Sequence, residues 1–165
     1  MKHFILYNQI KDKSIDSLLK RIGRNEKKVI CDLKFIDLIY GKQSMNGVYV
    51  IFDPSDKPAY VGKTGSRAIL ERMAAHYDLR QNAFMNSFLC ALAGFKKSRS
   101  GHQATDKEIK QAYEESLKYK MLFIEIPDKA IINRLERIIS KELNPPLNSI
   151  KGKNEYDLNT KIKNI

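Results

Sequence analysis

The stretch GVYVIFDPSDKPAYVGKT, residues 47–64, sets two tyrosines, Tyr49 and Tyr60, beside glycines, a lysine and a threonine. A phenol with a pKa of about 10 is a poor base at neutral pH unless nearby cations stabilise its anion. Lys63, immediately after YVG, and Arg72, on the next helical pattern, are such cations. Arg72 also offers a planar fork suited to phosphate oxygens. His76, with an ordinary pKa of about 6.5, can relay a proton or donate a hydrogen bond to phosphate. Glu136, far downstream, supplies a carboxylate, and one carboxylate with several retained waters is a reasonable Mg²⁺ site because that ion dehydrates reluctantly. Together these types suit the hydrolysis of a phosphodiester, which needs a base for water, positive charge on the phosphate and help for the leaving alkoxide.

Each residue taken alone also has an ordinary structural use. Arg72 can pair with Glu71 or Asp78, His76 lies beside an apolar stripe, Glu136 can sit on a solvated helix face, and tyrosines are common on half-buried strands. Glu142 is a rival ligand to Glu136, but it falls in the last turn of its helix, where helices fray.

The elements that must position these residues follow from pattern. Residues 47–53 and 58–62 read as two strands joined by a DPSDK loop, with Pro54 and Ser55 as turn residues. An even loop puts Tyr49 and Tyr60 on one face, expected to look toward a phosphate rather than a core. Gly47 and Gly62 suit positions where the backbone twists or is closely approached. The segment RAILERMAAHYD reads as a helix with Ile69, Leu70, Met73 and Tyr77 inward, which makes Arg72 and His76 neighbours, four apart. QNAFMNSFLCALAGF (81–95) reads as a second helix ended by Gly94, and the T-x-x-E pattern at Thr105 and Glu108 starts a third, running to about Lys118. YKMLFIEI reads as a central strand. Asp128 caps a last helix whose stripe is Ile131, Ile132, Leu135, Ile138 and Ile139, and Pro145 and Pro146 end it. Upstream, Ser14 is a suitable cap for SIDSLLKRI, a helix that Gly23 is expected to end. The simplest arrangement is an α/β (α+β) fold in which helices flank a small three-stranded, antiparallel-type sheet.

Charge bounds the partners. Thirty Lys and Arg against nineteen Asp and Glu leave +11, spread over KRIGRNEKK, KKSR and KGK. Such a surplus suits a polyanion, whose released counterions drive binding, although a lysine-rich composition alone also produces it. No run approaches the ~20 apolar residues of a membrane span, and MKHFILYNQIKDK is broken too early for a signal peptide, so a cytoplasmic protein without a membrane partner is expected. Cys31 and Cys90 have no metal-type spacing and read as buried small hydrophobes.

The order GVY, YVG eleven residues on, Arg72 and His76 on the next helix, Glu136 on a late helix and Asn148 after a proline pair resembles the GIY-YIG nuclease family, with valine for isoleucine in both triplets. The resemblance covers residues 47–148, about three fifths of the chain. It implies a GIY-YIG-like core at 47–150 with a helical and basic insertion at 78–118, preceded by an N-terminal helical extension (1–46) packed on the same domain and followed by a basic C-terminal tail (151–165). It further implies a divalent-metal-dependent DNA endonuclease using Mg²⁺ or Mn²⁺ held by Glu136. Tyr49 is then the base, with Tyr60 ordering the phosphate or sharing that role; Lys63, Arg72 and His76 assist, and Asn148 fixes the exit segment by bonding backbone. Lys63, Thr64 and Arg67 are expected at flanking phosphates. The basic loop KKSRSGHQ (Lys96, Lys97, Arg99, Ser100, Gln103) is expected at the duplex.

A small nuclease with elaborations inside its catalytic body resembles the family's type II restriction endonucleases, site-specific enzymes that would act on double-stranded DNA as homodimers. Homing, repair or structure-specific nucleases, and a non-cleaving nucleic-acid-binding module, are the alternatives.

Overall fold

The run Gly47–Phe52 is buried at every position, which is why GVYVIF lacks a polar alternate: both faces of the strand are covered. The protein was analysed as a computed structural model that describes residues 3–41, 43–80, 83, 85–95, 104–148 and 155–165. In chain order the elements are β1 (Phe4–Ile5), α1 (Tyr7–Ile10), α2 (Ile15–Arg24), β2 (Lys28–Val29), β3 (Ile39–Tyr40), β4 (Gln43–Ser44), β5 (Gly47–Phe52), β6 (Pro58–Lys63), α3 (Ile69–His76), α4 (Ser87–Leu92), α5 (Asp106–Ser116), β7 (Lys120–Glu125) and α6 (Lys129–Leu143). Short 3₁₀ turns occupy Ile30–Asp32, Phe35–Leu38 and Ile162–Asn164.

The architecture is mixed α/β, but the sheet is not the expected three-stranded antiparallel one. Five strands form it in the order β1–β7–β5–β6, with β2 also paired to β7, and β3–β4 make a separate two-stranded ribbon. The hairpin β5–β6 and the pair β5–β7 are antiparallel, whereas β1 runs parallel to β7, so the sheet is mixed. The additional strands are two residues long, too short to show any period-2 signal; contacts with β7 create them. They also make the N-terminal 46 residues more than a helical extension.

Alternation along the strands divides the interior in two. Val48, Val50, Phe52, Leu122 and Ile124 pack with Leu18 and Ile22 of α2 and with Ile131, Ile132, Leu135 and Ile139 of α6. Tyr49, Ile51, Met121 and Phe123 pack on the opposite face with Ile69 and Met73 of α3 and Phe88 and Leu89 of α4. Helices therefore cover both faces, as the apolar stripes of α3 and α6 require.

Local chemistry sets most helix ends, although α2 runs through Gly23 to Arg24 instead of ending at the glycine. Ser14 Oγ accepts from the Ser17 amide, Asp128 accepts from the Ala130 and Ile131 amides, and Thr105 and Glu108 exchange hydrogen bonds in a complete capping box. Gly94, at φ 81°, closes α4 with the Phe95 amide bonded to the Cys90 carbonyl. Helix α4 is shorter than the expected 81–95, beginning only at Ser87. Asn144, in left-handed backbone, ends α6 before the prolines act. Cys90 is buried as expected, but Cys31 is exposed.

Residues 155–165 do more than form a basic tail. Ile162 is fully buried in the α2–α6 core, and the segment bonds back to the N-terminal region through Ile15 N to Thr160 O and Ile162 N to Lys13 O. Among the described residues no helix is long and apolar enough to cross a membrane. Ile162→Ala is expected to lower stability by about 2–4 kcal/mol, the scale for emptying a buried branched side chain, read as a lower urea midpoint at unchanged m-value. A detached tail would give no change.

Candidate active site

Glycine is required at two points of the hairpin because of what lies opposite. Tyr49 pairs across the ladder with Gly62, and a Cβ on residue 62 would stand 2.2 Å from both Cζ and Oη of Tyr49. The phenol thus occupies the space that a side chain would fill. At Gly47 a Cβ would meet the Ile124 carbonyl oxygen at 1.8 Å, so the strands approach this closely only through glycine.

Tyr49 and Tyr60 do share a face, since Ile51 pairs with Tyr60 and the register shifts only beyond Ile51. Their rings stack at 6.3 Å, and His76 meets both edge-on. Contrary to expectation, this face is core. Tyr49 is fully buried and Tyr60 is 8% exposed.

Placed there, the Tyr49 hydroxyl lies 2.5 Å from His76 Nε2 and accepts from Arg72 Nε at 3.1 Å. The Phe88 amide donates to His76 Nδ1 at 3.4 Å. An amide can only donate, so this contact assigns the proton of a neutral ring to Nε2, which then donates to Tyr49. The phenol oxygen therefore accepts twice. Burial, together with the neighbouring Tyr60 phenol, pushes Tyr49 above the ordinary phenol range, against the pull of Arg72. Burial raises Tyr60 likewise, opposed by hydrogen bonds with Arg72 and Ser87.

The segment 85–88 locks this arrangement, and the sequence reading missed it. Met85 O accepts from Arg72 Nη1 at 3.0 Å, and the Phe88 amide is one of the unpaired donors at the start of a helix. Asn86, fully buried, donates to the Asp78 carbonyl. Reading 81–95 as one helix concealed these backbone groups; an Asn-Ser pair ahead of an apolar run is the signal for a later start.

Strand β6 is the sheet's edge, and a cleft of about 1050 Å³ lies along it. Its lining joins both faces of the sheet: Arg72 from α3 and Met85, Ser87 and Ala91 from the α4 region on one side, Glu136 from α6 on the other, with Tyr60, Lys63 and Arg67 between them. Asn148 covers part of the open edge. Its Oδ1 accepts from the Val61 amide at 2.6 Å and its Nδ2 donates to the Val61 carbonyl at 2.7 Å, replacing a missing strand.

The cleft brings together Tyr60, Lys63, Arg67, Arg72, Glu136 and Asn148. It does not include Tyr49 or His76, which stand one layer behind through Arg72. Thr64 is not placed for phosphate: it is 1% exposed, and its hydroxyl accepts from the Gly47 amide at 2.8 Å. Lys63 faces the Glu136 carboxylate at 3.6 Å rather than a phenol; burial and then Arg137, a cation the sequence reading overlooked, hold its pKa below the ordinary lysine value. Glu142 is exposed and accepts from the Tyr156 hydroxyl, which removes it as a rival. Lys96, Lys97, Arg99, Ser100 and Gln103 lie outside the described residues.

Among the described residues no three His, Cys, Asp or Glu side chains gather as a metal cage. Glu136, 3% exposed and lining the cleft, is a single-carboxylate donor. That suits Mg²⁺ or Mn²⁺ bound through one carboxylate, water and substrate phosphate, and not a metal that needs an all-protein shell. Comparison with protein-family models, curated proteins and solved structures gives no match to this chain.

Gly62→Ala is expected to displace the Tyr49 ring and cost about 1–3 kcal/mol, seen as a lower thermal midpoint; an unchanged midpoint would show that the ring can yield. A pH dependence follows from the raised phenols. The folded chain keeps the Tyr49 and Tyr60 protons where the unfolded chain loses them, so their contribution is complete below pH ~10 and declines above it. Urea midpoints measured from pH 8 to 11 should fall above pH ~10, and less steeply in Tyr49→Phe.

Proposed function

We propose that this chain is a divalent-metal-dependent endodeoxyribonuclease of the GIY-YIG type that cuts double-stranded DNA site-specifically, in the manner of a type II restriction enzyme. The observation that carries the reading is the cleft along β6, which Tyr60, Lys63 and Arg72 line together with the buried carboxylate of Glu136. A strongly basic chain with a cationic cleft suits a polyanion.

In this reading Arg72 and Arg67 hold phosphate oxygens. Arg72 commits Nε to Tyr49 and Nη1 to Met85 O, and its five-donor fork retains N–H groups for an anion. Tyr60, in the cleft wall, is the phenol that meets the attacking water, and Arg72 counteracts the burial that keeps it protonated. Tyr49 and His76 are positioning residues, which hold the Arg72 fork at a fixed angle from behind. Glu136 would hold the ion, which when bound stabilises charge on the phosphate and the leaving oxygen. The α4 region contributes Met85, Ser87 and Ala91 to the cleft, which gives the 78–118 insertion direct access to the substrate and supports recognition from within the catalytic body.

The test is plasmid cleavage in Mg²⁺. Wild type is expected to yield discrete fragments, and Glu136→Gln to lose at least about a thousandfold in rate, equivalent to ~4 kcal/mol. A folded wild type that leaves the plasmid intact, or a Glu136→Gln variant as active as wild type, would refute the nuclease assignment. A smear would refute the site-specific part alone.

A further inference from the structure

Building on the nuclease reading and its Glu136 metal site, we propose that the Lys63 ammonium is a resident counter-ion of Glu136 in the metal-free protein, and that it must leave this carboxylate for substrate phosphate when the metal ion arrives. The Lys63–Glu136 distance is 3.6 Å, with the carboxylate side chain 4% exposed and the lysine side chain 34% exposed. A carboxylate this deeply buried requires a compensating positive charge to stay ionised. Lys63 supplies that charge from the last position of β6, on a flexible four-carbon stem that can swing along the cleft. Glu136 makes further contacts, so the ammonium is one part of its environment, and it carries charge of the same sign as the ion.

Two cations cannot share one small carboxylate without repulsion. The ion therefore competes with Lys63 for Glu136, and metal affinity is held down until a phosphate is present to take the ammonium. DNA then does two things together: it offers oxygens to the ion and removes the ion's competitor. Metal and substrate binding become coupled, and by linkage each tightens the other. The ion is then retained chiefly when there is a phosphodiester to cut.

The experiment measures Mn²⁺ binding to DNA-free protein by electron paramagnetic resonance, using MnCl₂ as the only ligand. It compares wild type, Lys63→Met, Lys63→Arg and Glu136→Gln, each checked for folding by circular dichroism. The expected result is that Lys63→Met binds Mn²⁺ at least about fivefold more tightly than wild type, the lower end of ordinary coupling between sites. Lys63→Arg, which keeps the charge, should stay near wild type, and Glu136→Gln should lose the site. Equal or weaker binding by Lys63→Met, with Glu136→Gln still losing the site, would overturn the counter-ion role and leave the nuclease reading standing. Should Lys63→Met not fold, Lys63→Gln replaces it with the same two outcomes. Mn²⁺ binding that is unaffected in Glu136→Gln would overturn the metal site itself, and the counter-ion role with it.

Discussion

A single buried hydroxyl holds the candidate site in register. The Tyr49 phenol reaches across the hairpin over Gly62 and accepts from Arg72 and His76 on the facing helix. Both donors are in turn fixed at the start of α4, Arg72 by the Met85 carbonyl just before the helix and His76 by the Phe88 amide in its first turn. A guanidinium on a long stem would otherwise sample many rotamers, and each contact from behind reduces the entropy lost when it grips an anion. The glycine of YVG and the tyrosine of GVY are thus two halves of one packing arrangement, the missing side chain of one making room for the ring of the other.

The second organising constraint is the edge of the sheet. Residues on α3 and α6 belong to opposite layers, separated by the thickness of a strand and its side chains, and can meet only where the sheet ends. β6 is that end. The exit segment after α6 folds back so that Asn148 pairs with Val61 and the Leu147 amide with the Ala59 carbonyl, covering an edge that would otherwise invite pairing with another chain. The left-handed Asn144 that ends α6, with Pro145 and Pro146 after it, therefore turns the chain toward the edge and closes one end of the cleft.

Electrostatics in the cleft are asymmetric in a way that suits a charged ligand. Among the described residues, Lys63, Arg67 and Arg72 line it together with the buried acid Glu136. Partial burial and then the neighbouring Arg137 favour the neutral form of Lys63, while the Glu136 carboxylate 3.6 Å away favours its charged form.

Much of this was legible in the chain itself. The helices containing Arg72, His76 and Glu136, the caps at Ser14, Thr105 and Asp128, the hairpin and the shared face of its two tyrosines all follow from residue type and from periods of 3.6 and 2, which are local properties. Three features were decided only by the tertiary structure. The two-residue strands Phe4–Ile5 and Lys28–Val29 exist because β7 offers them partners, and no pattern that short is readable. The burial of Tyr49 depends on α3 and α4 covering its face, that of Thr64 goes with its hydrogen bonds to Gly47, and a tyrosine on a strand looks the same in sequence whether it ends in solvent or in a core. The pairing of Lys63 with Glu136, 73 positions apart, arises because an edge strand lets opposite layers of the fold touch, and separation along the chain carries no record of that distance.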